Sequence, residues 1–470
     1  MTAAILAPLL LGVSVRVQQA SGRPPKDVVA PTASAALPRA SSESTNREQL
    51  LLHRIEKLER PLGQSRTATN TADEIFGANR IAVEARSSAT TGEDDSAAQN
   101  ERRLTTPSTT ASDQRATPSK TPWQYGGFID LGYLLDFNHP ANRIFRGRGT
   151  AWHVDNLFVN MAAVYARKKT SEESRWVAEL TAHGGKDSEV FGFSATAPNI
   201  GGFKWLRHLG PTNVSYLAPV GKGLTVQGGI FASLIGYDSL YAKDNFNYTR
   251  PWGADFTPYL MMGVNASYPF NDSLTGAVFV VNGYWHLANA NSVPSSGGQL
   301  AYKVSPHVTA KETVLWGPHQ TDTSLKYWRS LSDTIVERKG DRVTFAFEYI
   351  YSSERVVAPG NPCALMMASQ LPVHWTMNKQ WSATVRPEVF WDRDGRWTLA
   401  RQTVKAVTTT LEYSVPYKET NTILRVEHRW DDSRGPDGGF FRGGEVLPGV
   451  LGLTPTQHLL TFGLIFTFDH

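Results

Sequence analysis

Cysteine is almost missing from this chain. Cys363 is the only one in 470 residues, which excludes an intramolecular disulfide framework and a cysteine-rich zinc site. No run of about 18 to 20 consecutive apolar residues occurs, so a helical membrane protein is excluded too. Charge of one sign is also lacking: Lys plus Arg number 47 against Asp plus Glu 43. No basic run has the length of a nucleic-acid-binding stretch. A nucleophile elbow, an H-E-x-x-H zinc site, a Walker loop and a Rossmann glycine turn are all missing. GGKDS at Gly184 places a lysine after glycines but lacks the loop and helix such a site requires. None of the twelve histidines forms a close pair at metal-ligand spacing on one face. The residues thus nominate no catalytic group, no metal and no cofactor.

Aromatic residues are scarce over the first quarter of the chain. Ala3 to Val15 is an apolar run with the length of a secretory h-region, though the first basic residue is Arg16 and follows it. The expectation is a signal peptide over residues 1–20, cleaved between Ala20 and Ser21. Residues 21–121 are rich in Ser, Thr, Ala, Arg and Pro. They hold too little apolar surface to offset ordering entropy, and the expectation is a disordered periplasmic segment. One island interrupts it: Leu51, Ile55, Leu58 and Leu62 lie at spacings of four, three and four. This predicts a short coiled-coil-like helix over about 44–62, capped near Ser44 or Thr45 and stopped by Pro61.

From residue 122 the pattern changes to dense aromatics and short alternating runs between Gly, Asn, Asp, Pro and Ser clusters. WQYGGFIDLGYLLDF places Ile129, Leu131, Tyr133 and Leu135 on one face and Asp130, Gly132 and Asp136 on the other. DNLFVNMAAVYA sets Leu157, Val159, Met161, Ala163 and Tyr165 against Asn156, Asn160 and Ala162. Further runs of this kind, with weaker ones near Trp176, Val214, Leu300 and Met366, give about fourteen to sixteen strands. No helical pattern of useful length separates them, so the expected fold is an all-β antiparallel barrel rather than a βαβ sheet.

Two features point to lipid outside that barrel. Many runs reach the length of about ten residues that a tilted membrane strand needs, where soluble strands more often stop near five or six. Aromatics also gather towards strand ends, as the girdles of a membrane barrel do: Tyr125 and Tyr133, Tyr165, Tyr259, Tyr349 with Tyr351, Trp391 and Tyr413. The last strand, HLLTFGLIFTFDH, carries Leu460, Phe462, Leu464, Phe466 and Phe468 on one parity. Five large apolar groups in a row need an apolar neighbour, and the expectation is membrane lipid.

That segment resembles the closing strand of bacterial outer-membrane proteins, with Asp469 and His470 added after the final aromatic. The resemblance implies insertion by the β-barrel assembly machinery. The region from Trp123 to Phe468 as a whole resembles the β-barrel porin-2 (OmpL-like) family. The likeness rests on GGFIDLGYLLD, on NYTRPW at Asn247 to Trp252 followed by TPYLMMGVNASYP, and on VVNGYW at Val280 to Trp285. It rests also on the charged strands RPEVFWDRDG and LRVEHRWDDS. It implies a pore in the bacterial outer membrane and names no substrate.

In Leu424 to Asp432 one parity reads Leu424, Val426, His428 and Trp430, while the other reads Arg425, Glu427, Arg429 and Asp431. Arg or Lys facing lipid near the midplane costs about 2 to 4 kcal/mol. The charged parity is therefore expected to line the lumen, together with Arg386, Glu388, Asp392, Glu348 and Glu412. Pro387 is awkward in a central strand and predicts a bulge or an early strand start there. Segments Asp187–Gly210, Asp238–Phe256 and GPDGGFFRGGEVLPGVLG are candidates to fold inward. The expected function is passive diffusion of small hydrophilic solutes through a charged lumen, with three barrels able to associate. The residues leave open a non-conducting structural or adhesive barrel, an outer-membrane hydrolase assembled from separate strands, and a soluble carbohydrate-binding β protein.

Overall fold

The computed structural model describes residues 123–170, 174–191, 203–284, 287, 293–318, 327–356, 359–360, 362–447 and 450–470. The expected signal peptide, periplasmic segment and short helix lie outside these residues. Strands in chain order are β1 (Trp123–Asp136), β2 (Leu157–Lys168), β3 (Trp176–Gly184), β4 (Thr212–Ala218), β5 (Leu224–Ala232) and β6 (Leu260–Pro269). There follow β7 (Leu274–Val281), β8 (Ser295–Ser305), β9 (Val308–Pro318), β10 (Trp328–Lys339), β11 (Val343–Arg355), β12 (Cys363–Gln370) and β13 (Val373–Thr376). The last are β14 (Trp381–Asp392), β15 (Gln402–Tyr417), β16 (Thr420–Arg434), β17 (Phe440–Leu447), β18 (Val450–Thr454) and β19 (Thr456–Asp469).

Each strand pairs antiparallel with its neighbours, and β1 pairs with both β2 and β19, so the sheet closes on itself. β12 and β13 are two halves of one stave, and β17 with β18 forms a separate hairpin. The result is a closed antiparallel barrel of sixteen strands, an arrangement that leaves no sheet edge unpaired. Connections at one end are short, such as 306–307 and 418–419, and both Trp123 and Asp469 lie at that end. Connections at the other end are long, with 233–259 between β5 and β6.

Period-two alternation decides the two faces. In β19, Phe462, Leu464, Phe466 and Phe468 are 39–47% exposed on the outside, Leu460 is half-buried on the same side, and Leu459, Thr461 and Ile465 are buried inside. Leu464→Arg is expected to lower unfolding stability by about 2 to 4 kcal/mol, the cost of a guanidinium against lipid near the midplane. A refolding titration in lipid vesicles reads this, and an unchanged midpoint would show that this face does not meet hydrocarbon.

Two local departures follow from backbone geometry. Asp130 opposes Met161 while Leu131 opposes Val159, leaving Asn160 as an extra residue in β2. This bulge flips the parity of the strand: Leu157 and Val159 face out, whereas Met161, Ala163 and Tyr165 are buried inside. Tyr165 therefore sits in the lumen, donating to Asp469, and is not a girdle residue. Tyr259 likewise turns inward and donates to Asp255 at 2.9 Å. Pro387 stays within β14, and the irregularity lies next door. Leu371 and Pro372 interrupt the neighbouring stave there, and the Pro387 carbonyl accepts from the Leu371 N–H at 3.0 Å.

Candidate constriction inside the barrel

The connection from Ser233 to Tyr259 does not stay on the rim. It contains a short 3-10 turn (Ala242–Asp244) and a one-turn helix α2 (Trp252–Asp255), following α1 (Lys186–Phe191) in the chain. Its central residues Tyr248, Arg250 and Trp252 are among the most completely buried side chains of the molecule. They lie inside the barrel because the inward charges of β10–β16 hold their backbone.

The strongest hold is Glu427. Its carboxylate accepts from the Tyr248 N–H at 2.6 Å, the Thr249 N–H at 2.9 Å, the Thr249 hydroxyl at 2.5 Å and the Thr410 hydroxyl at 2.6 Å. Arg425 donates to the carbonyls of Ala242 at 2.6 Å and Asn245 at 2.5 Å, while its Nε pairs with Glu412 at 2.8 Å. Arg429 grips both oxygens of Asp431 and donates to the Arg250 carbonyl at 3.0 Å, with Glu388 at 2.9 Å on its other flank. Glu388 accepts from the Trp252 N–H at 2.5 Å, and Asp431 accepts from the Trp252 indole at 2.8 Å. Glu348 accepts from the Tyr237 N–H at 2.7 Å, and Arg386 lies 3.9 Å from Asp238. Eight of the nine inward charges nominated from sequence thus belong to one network around this loop. The ninth, Asp392, instead accepts the N–H groups of Arg396, Trp397 and Thr398 and anchors the β14–β15 connection.

The far wall supplies a slot. Gly132 of β1 and Gly463 of β19 are cross-strand partners, and the Tyr248 ring lies across both. A Cβ added at Gly463 would come within 2.6 Å of that ring, and one at Gly132 would meet its hydroxyl. The Tyr248 hydroxyl donates to Asp130 at 2.7 Å and accepts from the bulged Asn160. The loop therefore spans the lumen from the charged wall to the β1–β19 seam.

Other connections add to this plug. Phe145 from the β1–β2 connection and Phe440 from the hairpin pack on Trp252, with ring centroids 5.8 and 6.2 Å away. Arg148 pairs with Asp255 at 2.9 Å, and Arg250 approaches Asp187 of α1 at 3.4 Å. Burial raises the Asp187 carboxyl to about 6, with Arg250 pulling the other way. Of the three segments expected to turn inward, Asp238–Phe256 does so throughout. Phe440 of the GPDGGFFRGGEVLPGVLG segment is buried while Val446, Val450 and Leu453 are exposed, and part of Asp187–Gly210 lies outside the described residues. Cavities of about 60 Å³ each, with room for a few waters, remain at the short-turn mouth, beside Lys243, His374, Glu412 and Arg425, and beneath the loop, beside Arg167, Gly236 and Tyr241.

Sequence patterns had not singled out Asp333, Glu354 or Arg329, which are buried inside. Asp333 accepts from the Gly236 N–H at 2.7 Å, and Arg329 pairs with Glu354 at 2.5 Å. Alternation hides them, because their outward neighbours are polar as well: Ser330, Ser332 and Thr334 on β10, and Ser353 and Arg355 on β11. Sequence spacing also hid the outward contact of His428 Nε2 with His458 Nδ1 at 3.2 Å, formed across two strands.

Residues 122–468 match the family described as Putative beta-barrel porin-2, OmpL-like. The chain belongs to this family. Its NYTRPW segment and its two charged strands are thus the two sides of one lock in this porin-2 barrel. Among solved structures, OmpT of Vibrio cholerae, folded in vitro, aligns over 75% of this chain and 99% of its own at 10% identity, with a TM-score of 0.44. An anion-selective porin from Comamonas acidovorans aligns over 74% and 99% at 10% identity and a TM-score of 0.45. Salmonella typhi OmpF in complex with daunomycin aligns over 74% and 97% at 10% identity and a TM-score of 0.48. No curated protein matches the sequence.

Proposed function

We propose that this member of the family is an outer-membrane porin for passive diffusion of small hydrophilic solutes, narrowed by its inward loop. The carrying observation is that a closed barrel with a largely apolar exterior holds residues 233–259 inside it by charge-assisted hydrogen bonds. Such bonds fix a constriction more rigidly than neutral ones, and a fixed constriction sets a solute size limit. Among the described residues the buried inward carboxylates outnumber the buried guanidiniums. The field inside therefore favours cations. In this proposal residues 1–20 direct export and residues 21–121 remain on the periplasmic side. The closing strand engages the assembly machinery, and three barrels associate. The position of Trp123 at the short-turn end supports that orientation, since short turns face the periplasm in outer-membrane barrels.

The test is single-channel recording from refolded protein in a planar bilayer under a salt gradient. Small stepwise conductance with a cation-selective reversal potential is expected. A second function, a non-conducting structural barrel, is favoured by one specific fact: Glu427, Arg429 and Asp431 are fully buried beneath the loop. A correctly folded barrel that inserts and stays silent would select it.

A further inference from the structure

The outside of β14–β16 and β19 is apolar over most of its height, with Val389, Val407, Leu411, Val426, Phe462 and Leu464 exposed. Near the long-loop end this face changes character. Lys405 and Arg434 are both exposed there, beside the outward rings of Trp391 and Trp430. Register brings them together. Lys405 opposes Asp432, Thr403 opposes both Arg434 and Trp391, and Trp430 opposes His458. Lys405 and Arg434 are thus diagonal neighbours on one face, about 7 to 8 Å apart at the backbone and within reach of one anion.

The charges there do not cancel. Asp432 is largely buried and already held by Arg434 at 2.9 Å, while the Arg434 side chain is 80% exposed. Lys405 has no ion-pair or hydrogen-bond partner among the described residues. A lysine in the aromatic belt of a membrane face extends its ammonium towards the headgroups. The imidazoles of His428 and His458 complete the edge of the patch and are also exposed.

We infer that this rim is a binding site for the phosphorylated headgroup of an outer-leaflet glycolipid. Lys405 and Arg434 contact the phosphate, and the Trp391 and Trp430 rings bracket the boundary between sugar and acyl chain. The site rests on the outer-membrane proposal only for which leaflet the long loops face. Two basic contacts with a lipid phosphate correspond to about a thirty-fold gain in affinity.

The experiment uses the full chain refolded in neutral detergent. Diphosphoryl lipid A is titrated in, and bound lipid is counted by native mass spectrometry. Wild-type protein should retain the lipid, and Lys405→Ala with Arg434→Ala should bind it about thirty-fold more weakly. Lys405→Arg should retain it. Heat-modifiable migration checks that each variant folds. Equal binding of lipid A stripped of its phosphates, or unchanged binding by the double variant, would overturn the site. Displacement by millimolar inorganic phosphate would identify a free-anion site and equally overturn the lipid assignment. Conductance is recorded separately, so a silent barrel that binds lipid A removes the porin function and leaves this site standing.

Discussion

Glu427→Ala is expected to lower the stability of the folded barrel by about 3 to 5 kcal/mol, the range for removing one partner from a buried charged network. The carboxylate serves four donors, two of them backbone N–H groups with no alternative strand partner. Each donor left dry costs about 1 to 3 kcal/mol. The full sum is not reached, because Tyr248 and Thr249 can move towards water. That movement has a second readout, a rise in single-channel conductance as the loop loosens. Gly463→Val reaches the same loop from the opposite wall, by filling the slot that holds the Tyr248 ring. Urea titration and bilayer recording on both variants are the measurements. An unchanged midpoint together with unchanged conductance would show that this lock does not hold the loop in the working protein.

Replacing residues 237–256 with a short Gly-Ser connection should produce the largest functional change, a several-fold rise in conductance. The replaced segment carries Tyr248, Arg250 and Trp252, which fill the lumen between the charged wall and the β1–β19 seam. Without it, Arg425, Glu427, Arg429 and Asp431 face water, where two unit charges at 4 Å interact by only about 1 kcal/mol. The sheet itself should therefore survive, since its closing pairs between β1 and β19 do not involve the loop. The excess of inward carboxylates then acts on a wider aqueous path, and cation preference should persist. Conductance equal to wild type would place the ion path elsewhere, or show that the barrel conducts nothing.

Much of this was legible along the chain. Alternation in Leu424 to Asp432 assigned each residue to a face, because a strand has only two sides and the charges cannot face lipid. The same rule located β19 and the apolar row from Leu460 to Phe468. In β2 it fails because of one extra residue, whereas Tyr259 lies just before β6 and outside any alternation. Asn160 is inserted into β2, and everything after it on that strand changes side. Alternation therefore puts Tyr165 outside, whereas it lies inside. A bulge has no signature in a period-two pattern until the partner strand is known.

The loop shows the boundary more sharply. NYTRPW stood out as a motif, and the Asp238–Phe256 segment was a candidate to fold inward, but its partners were not visible. Tyr248 and Glu427 are 179 residues apart, and Trp252 and Asp431 are equally distant. Local propensity cannot pair groups at such separations; only closure of the sheet brings them within 3 Å. The sequence by itself determined a barrel with an apolar outside and a charged inside, because both follow from the pleat of single strands and the cost of charge in lipid. Only the tertiary structure decided that the charged inside grips a loop rather than open water. That outcome depends on which wall a connection can reach, and on whether its backbone donors find carboxylates there.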